Sequence, residues 1–113
     1  MTAVKLEKRT ESLEFLMLSV VDETMKQIFR EDGAKVIYDY LENRSDLKLE
    51  KIPEKPEVFS ASLEELLVSG AQVIENLILK NIYRKLELKF EEKKGYEFPD
   101  YIKELKKSAI AKT

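Results

Sequence analysis

Histidine, cysteine and tryptophan are absent from this chain of 113 residues, and each absence closes a class of chemistry. Without histidine, acid–base work near neutral pH loses its usual carrier, and carboxylate-rich bundles lose the Glu-x-x-His pairs that hold di-metal centres. The lack of cysteine removes the thiolate nucleophile, the disulfide framework and the sulfur ligands of structural zinc. Ser-His and Cys-His relays are excluded together. Glycines are few and isolated, at Gly33, Gly70 and Gly95, so no phosphate-cradling run exists. No apolar run approaches the roughly 18 residues that a bilayer span requires. Residues 1–9 carry no continuous hydrophobic stretch behind their charges. Neither a membrane contact nor a secretory signal is expected, and a cytoplasmic location is the default.

What remains is an apolar framework dressed in lysine and glutamate. Hydrophobic residues make up 43% of the chain and charged residues 37%, too apolar for disorder and too charged for a membrane protein. The length suits one domain spanning 1–113, able to bury roughly 60–70% of its unfolded surface. Richness in Lys and Glu with little Gly and Pro resembles thermophile composition. The net charge of −2 argues against general nucleic-acid binding. It is unevenly spread: residues 70–113 hold 10 basic and 7 acidic side chains, residues 1–69 hold 10 and 15. Such polarity can steer a partner.

Helical periodicity dominates. Thr10 reads as an N-cap with Glu11 in the first turn, and Leu13, Leu16, Met17, Val20, Val21, Thr24 and Ile28 recur on one face. The spacing predicts a helix over 11–31, stopped or bent at Asp32-Gly33 because glycine is the usual residue past a helix end. A second helix is expected over 34–45 on Val36, Ile37, Tyr40 and Leu41. Residues 47–59 hold Pro53 and Pro56 and read as a connector, either extended or with Pro53 opening a single turn, that lays Ile52, Val58 and Phe59 on the core. Ser62-Leu63-Glu64-Glu65 has the form of a capping box. It predicts a long central helix over 61–88, with Leu63, Leu66, Leu67, Val73, Ile74, Leu77 and Ile78 on one face and Val68, Leu79, Ile82 and Leu86 widening it. Gly70 within that helix costs about 1 kcal/mol against alanine, which implies a close crossing, a kink or a junction of two shorter helices. A charged connector with Phe90 inside it leads to a last short helix from Phe98, with Tyr101, Ile102 and Leu105 inward. The ends, 1–10 and 107–113, are expected to fray. Gly33-Ala34-Lys35-Val36-Ile37 echoes Gly70-Ala71-Gln72-Val73-Ile74 at an offset of 37 residues, through duplication or because Gly-Ala before apolar residues packs helices closely. The fold expected is an all-α bundle of four to five helices.

No constellation here carries catalysis. The five tyrosines fall at core or rim spacing, adjacent carboxylates such as Asp22-Glu23 and Glu64-Glu65 diverge on a helix, and Arg30-Glu31-Asp32-Gly33 lacks the alternating ligands of a calcium loop. Catalytic, cofactor and metal residues are therefore expected to be absent. A helix-turn-helix wants a small residue before its turn glycine and an apolar one after it. Phe29 and Asp39 around Gly33, and Leu66 and Asn76 around Gly70, fail both requirements. Lys80, Arg84, Lys85 and Lys89 form a basic strip that could touch phosphates, diluted by Glu87, Glu91 and Glu92.

Gly33-Ala34-Lys35-Val36-Ile37-Tyr38 with Tyr40-Leu41, then Ile52-Pro53, Pro56, Phe59 and Leu63, then Gly70-Ala71 with Ile74-Glu75, Ile78 and Tyr83, and finally Phe98 and Tyr101, together resemble a small archaeal helical family, the Nitrosopumilus output domain and its relatives. The resemblance covers about residues 30–105. It implies a helical output or regulatory module and brings with it no catalytic residue.

The function expected from these features is non-enzymatic: an interaction or regulatory module that binds itself or a protein partner. The broad apolar arc of the central helix motivates a homodimer, with Val68, Leu79, Ile82, Tyr83 and Leu86 as its interface. Two other classes stay open. One is a nucleic-acid-associated accessory protein using the basic C-terminal half. The other is an unconventional small-molecule binder, whose signature would be a pocket with converging charged groups.

Overall fold

Helical periodicity in the sequence translates into helices along the chain, and no strand occurs among the described residues. The computed structural model describes the backbone of residues 3–111 and the side chains of residues 11–109. Helix α1 spans Ala3–Ser45, a short 3-10 helix Leu49–Glu54 follows, and then come α2 (Pro56–Leu67), α3 (Gly70–Lys85) and α4 (Phe98–Ala111). The expected all-α bundle is what forms. Its core gathers Met17, Val21 and Met25 of α1, Phe59 and Leu63 of α2, Ile78 and Ile82 of α3, and Ile102 of α4, all buried.

Helix α1 is two limbs joined by an elbow. Arg30 leaves helical geometry at φ 64° and ψ 177°, a region that side chains with a Cβ rarely occupy. A straight helix would hold residues 22 and 38 about 24 Å apart at 1.5 Å per residue. Instead the Tyr38 hydroxyl donates to Asp22 Oδ1 at 2.8 Å, so limb 31–45 folds back along limb 3–29. The reversal expected at Asp32-Gly33 thus lies a few residues earlier, and Gly33 stays helical. Its role is close approach: a Cβ at Gly33 would sit 2.8 Å from Phe29 Cβ. The start expected after Thr10 moves as well, because helical backbone already runs from Ala3.

The helix expected over 61–88 is divided. Pro56 opens α2 at the first helical position, where its missing N–H has no partner to lose. Ser62 therefore lies inside a helix rather than capping one, and its hydroxyl shares a hydrogen bond with that of Ser45. The chain turns at Val68, with φ 53° and ψ −123°, unfavourable for a β-branched residue. No local preference explains that turn. It lets the buried face of α2 (Phe59, Leu63) and that of α3 (Ala71, Ile78) both meet the other helices, which one straight rod of this length could not do. Helix α3 stops at Lys85 rather than 88. Leu88 N–H donates to the Tyr83 carbonyl at 2.8 Å and Glu87 N–H to that of Arg84 at 3.0 Å, around Glu87 at φ 58°. That is a Schellman closure with glutamate in glycine's place.

The two prolines of the connector serve the core. Pro53 sits buried within the 3-10 turn beside Ile52. Helix α4 is held at both ends. Asp100 Oδ2 accepts from Glu97 N–H at 2.8 Å at its start. Near its end, Lys106 Nζ lies 3.0 Å from Glu14 of α1 and donates to the Pro53 carbonyl. Helical backbone persists to Ala111, beyond the fraying expected from residue 107.

The elbow makes a two-sided prediction. Arg30→Gly should raise the unfolding free energy by about 1 kcal/mol, because relief of left-handed strain exceeds the added chain entropy of glycine. Gly33→Ala should lower it by about 1 kcal/mol, since the clash with Phe29 outweighs alanine's better helix propensity. Urea unfolding followed by circular dichroism checks both. A stabilising Gly33→Ala would place the close approach elsewhere.

Candidate functional site

The interface nominated from the apolar arc does not form a surface. Leu79, Ile82 and Tyr83 are buried within the chain's own core and Leu86 packs against it. Val68 alone lies outside, 73% exposed. Helices α1, α2 and α4 cover most of the arc, which explains the breadth of α3's apolar face by its central position, while Val73, expected inward, is exposed. The basic strip is solvated. Lys80, Arg84, Lys85 and Lys89 are all exposed, and Lys89 leans toward Glu91 at 3.6 Å. Arg84 and Lys85 border a shallow recess of about 210 Å³ shared with Glu23 and Gln27, where an acidic side chain dilutes the positive field.

A larger cleft, about 480 Å³, opens where α2 hands over to α3 and segment 86–97 passes across to α4. Ser60 and Glu64 reach it from successive turns of α2. Gln72, Glu75, Asn76 and Leu79 come from α3, and Glu92, Lys93, Tyr96 and Glu97 from the facing segment. Rings hold that segment in place. Phe90 stands edge-on to Tyr83 with centroids 5.1 Å apart and lies 5.3 Å from Tyr101. Tyr96 packs on Tyr101 at 5.1 Å. The Tyr101 hydroxyl accepts from Lys93 N–H at 2.7 Å, and Lys93 Nζ meets Glu104 at 2.6 Å while lying 5.1 Å from the centre of the Tyr96 ring.

Glu75 is the unusual group. It is 6% exposed, and it follows the same stripe as Ile78, Leu79 and Ile82, at spacings of three, four and seven residues. Its Oε2 accepts from the Ser60 hydroxyl at 2.5 Å. Oε1 has no hydrogen-bond partner among the described residues, yet no buried polar side-chain atom is left unsatisfied. Glu75 lines the cleft, and Oε1 is the carboxyl oxygen that Ser60 does not engage. Burial pushes the carboxyl above the usual glutamate range, the Ser60 hydroxyl opposes this, and Glu64 and Glu97 push it further up. Glu75 receives no role in the sequence reading. The available signal is its phase, which puts a carboxylate on the buried stripe of α3.

Ser60, 8% exposed inside a helix, commits its hydroxyl proton to Glu75. Among the described residues no three carboxylates converge closely enough to hold a metal ion. No family model, curated protein or solved structure matches the chain. The site is therefore argued from its own geometry.

Because Glu75's folded value is raised, the folded state holds its proton more tightly than the unfolded state. Its contribution to stability is fully present below the ordinary glutamate range and is lost as pH rises through the folded value. Glu75→Gln, which keeps an acceptor for Ser60, should be more stable than the parent at pH 7. Each kcal/mol recovered should raise Tm by roughly 4 °C. The gap should close as pH falls to about 4, where both side chains are neutral. Calorimetry across pH reads this, and a Gln variant less stable at pH 7 would contradict it.

Proposed function

We propose that this chain is a non-enzymatic helical binding module that captures an end group of its ligand in the cleft between α2, α3 and segment 92–98. The ligand is either a free small molecule or a side chain presented by a partner. One observation carries the reading: a carboxyl group nine-tenths buried, with one oxygen held by a serine, lines a cleft of about 480 Å³. Ionising a buried carboxyl is unfavourable unless something compensates, and the one bond from Ser60 engages only one of its oxygens. Pockets of this volume with a few convergent polar groups and a perturbed titratable residue are where ligands bind. Self-association loses its motivation with the arc covered. Recognition of a partner keeps its own support in the exposed Val68 at the rim.

A fragment screen by amide-resolved NMR tests the reading. Mixed cationic, neutral and anionic probes should perturb the amides of residues 60–76 and 92–101 and leave the outer face of limb 31–45 unchanged. Perturbations that map instead to Lys80, Arg84 and Lys85 would reject the cleft in favour of the basic strip.

A further inference from the structure

The walls of the cleft suit one kind of ligand, and we infer that it takes a primary ammonium group on an alkyl stem, the ammonium meeting Glu75 Oε1 and the stem lying against Val68, Leu79 and Phe98. This rests on the reading of the cleft as the binding site and adds the chemistry of what enters.

Charge decides the sign of the ligand. Glu64, Glu75, Glu92 and Glu97 face the cleft, against Lys93 alone, and Lys93 is already engaged by Glu104 at 2.6 Å. The N-terminus of α3 also opens here through Ser69 and Gln72. It contributes roughly half a positive charge, too little to invert the field of several carboxylates. An anion would meet repulsion. A neutral ligand would leave the Glu75 oxygen without a charged partner.

Geometry decides the size. The acidic groups stand on separate walls and do not converge as metal ligands among the described residues, which disfavours a bare divalent cation and favours an organic one. Apolar side chains line the same space, since Leu79 and Phe98 are buried beside it and Val68 projects from its rim. An alkyl stem covers such surface at about 25 cal/mol per Å², while its ammonium donates to the carboxylate. The chain already holds one alkylammonium in this way a few residues along: Lys93 rests on the Tyr96 ring and pairs with Glu104. Aromatic faces and a carboxylate together are a recurrent cage for such cations.

Occupancy should depend on pH. Glu75 must be ionised to receive the ammonium, and the charged and titratable groups that share the cleft are Glu64 on α2, Glu92, Lys93, Tyr96 and Glu97 on the segment before α4, and Tyr101 on α4, with Ser60 donating from α2. Affinity should therefore fall on acidification, earlier than for an ordinary glutamate.

The test is a set of titrations of the full chain at physiological ionic strength, where surface attraction is screened beyond about 8 Å. Probes are cadaverine, spermidine and an N-acetyl-lysine amide, with pentanol, pentanoate and magnesium as controls, read by calorimetry and by amide shifts. The ammonium probes should bind at the cleft and the controls should not. Glu75→Gln should weaken binding about tenfold or more, with its unfolding midpoint equal to or above the parent's, which separates lost binding from lost folding. A lysine-containing peptide that outcompetes spermidine makes the source a protein side chain, and the reverse order makes it a free polyamine. Pentanol or pentanoate binding there as tightly overturns the ammonium inference and leaves the cleft reading standing. Magnesium binding as tightly overturns it as well, by reducing the site to a counterion patch. If no probe of any charge perturbs the cleft, the cleft reading falls too.

Discussion

Burial of the wide apolar face of α3 is the constraint on which the rest of this molecule depends. Ile74, Ile78, Leu79 and Ile82 are all buried, and no single neighbouring helix is broad enough to cover that arc. Each fully buried aliphatic side chain of this kind contributes about 1.5–3 kcal/mol, so leaving even part of the face wet would exceed the margin by which small domains are stable. The chain meets the demand by wrapping. The first limb of α1 meets α3, where Asn81 bonds to Thr24, limb 31–45 returns to bond with α2 through Glu65, α2 folds back at Val68, and α4 packs against α1, α2 and α3.

Wrapping requires sharp reversals, and several are made without glycine. Arg30, Val68 and Glu87 all take positive φ, at about 1–3 kcal/mol each for the least favourable geometries. Tertiary contacts compensate at each point. Tyr38 bonds to Asp22 across the elbow, Arg44 and Tyr40 both reach Glu65 to tie limb 31–45 to α2, and the Asn81 amide donates to buried Thr24 at 3.0 Å between α3 and α1. The bundle therefore has more junctions than long helices, and its cleft lies at one of them, between Leu67 and Gly70.

Periodicity made the helices and most of the inward faces legible. Met17, Val21, Ile37, Leu41, Ile78 and Ile102 could be assigned inward from spacing alone. Break positions were legible only to within a few residues: Gly70 pointed to a junction of two shorter helices, which falls between Leu67 and Gly70, and Asp32-Gly33 to the bend that falls at Arg30. Gly33 and Ser62 carry local signs of a helix end and a helix start, yet Gly33 is kept for its closeness to Phe29 and Ser62 for its bond to Ser45. Val68, where the chain turns, carries no such sign itself, and the signal for that junction was Gly70 two residues on. The same distinction explains the site. Leu79 and Ile82 look like spare apolar surface only when the long-range return of α1 and α4 is unknown. Glu75 looks like any helix glutamate unless its phase is compared with that of its apolar neighbours.

The account turns on Glu75 being a carboxyl drawn out of water at the wall of the cleft. The most direct measurement is a carbon-detected NMR titration of its side-chain carboxyl in the intact chain and in Ser60→Ala. The account predicts a midpoint above the ordinary 4.5 in the intact chain and a higher one still once the serine that favours the ionised form is gone. A midpoint at or below the ordinary value, unmoved by loss of Ser60, would mean that the carboxylate sits in water, and the cleft would lose the group on which its function is argued.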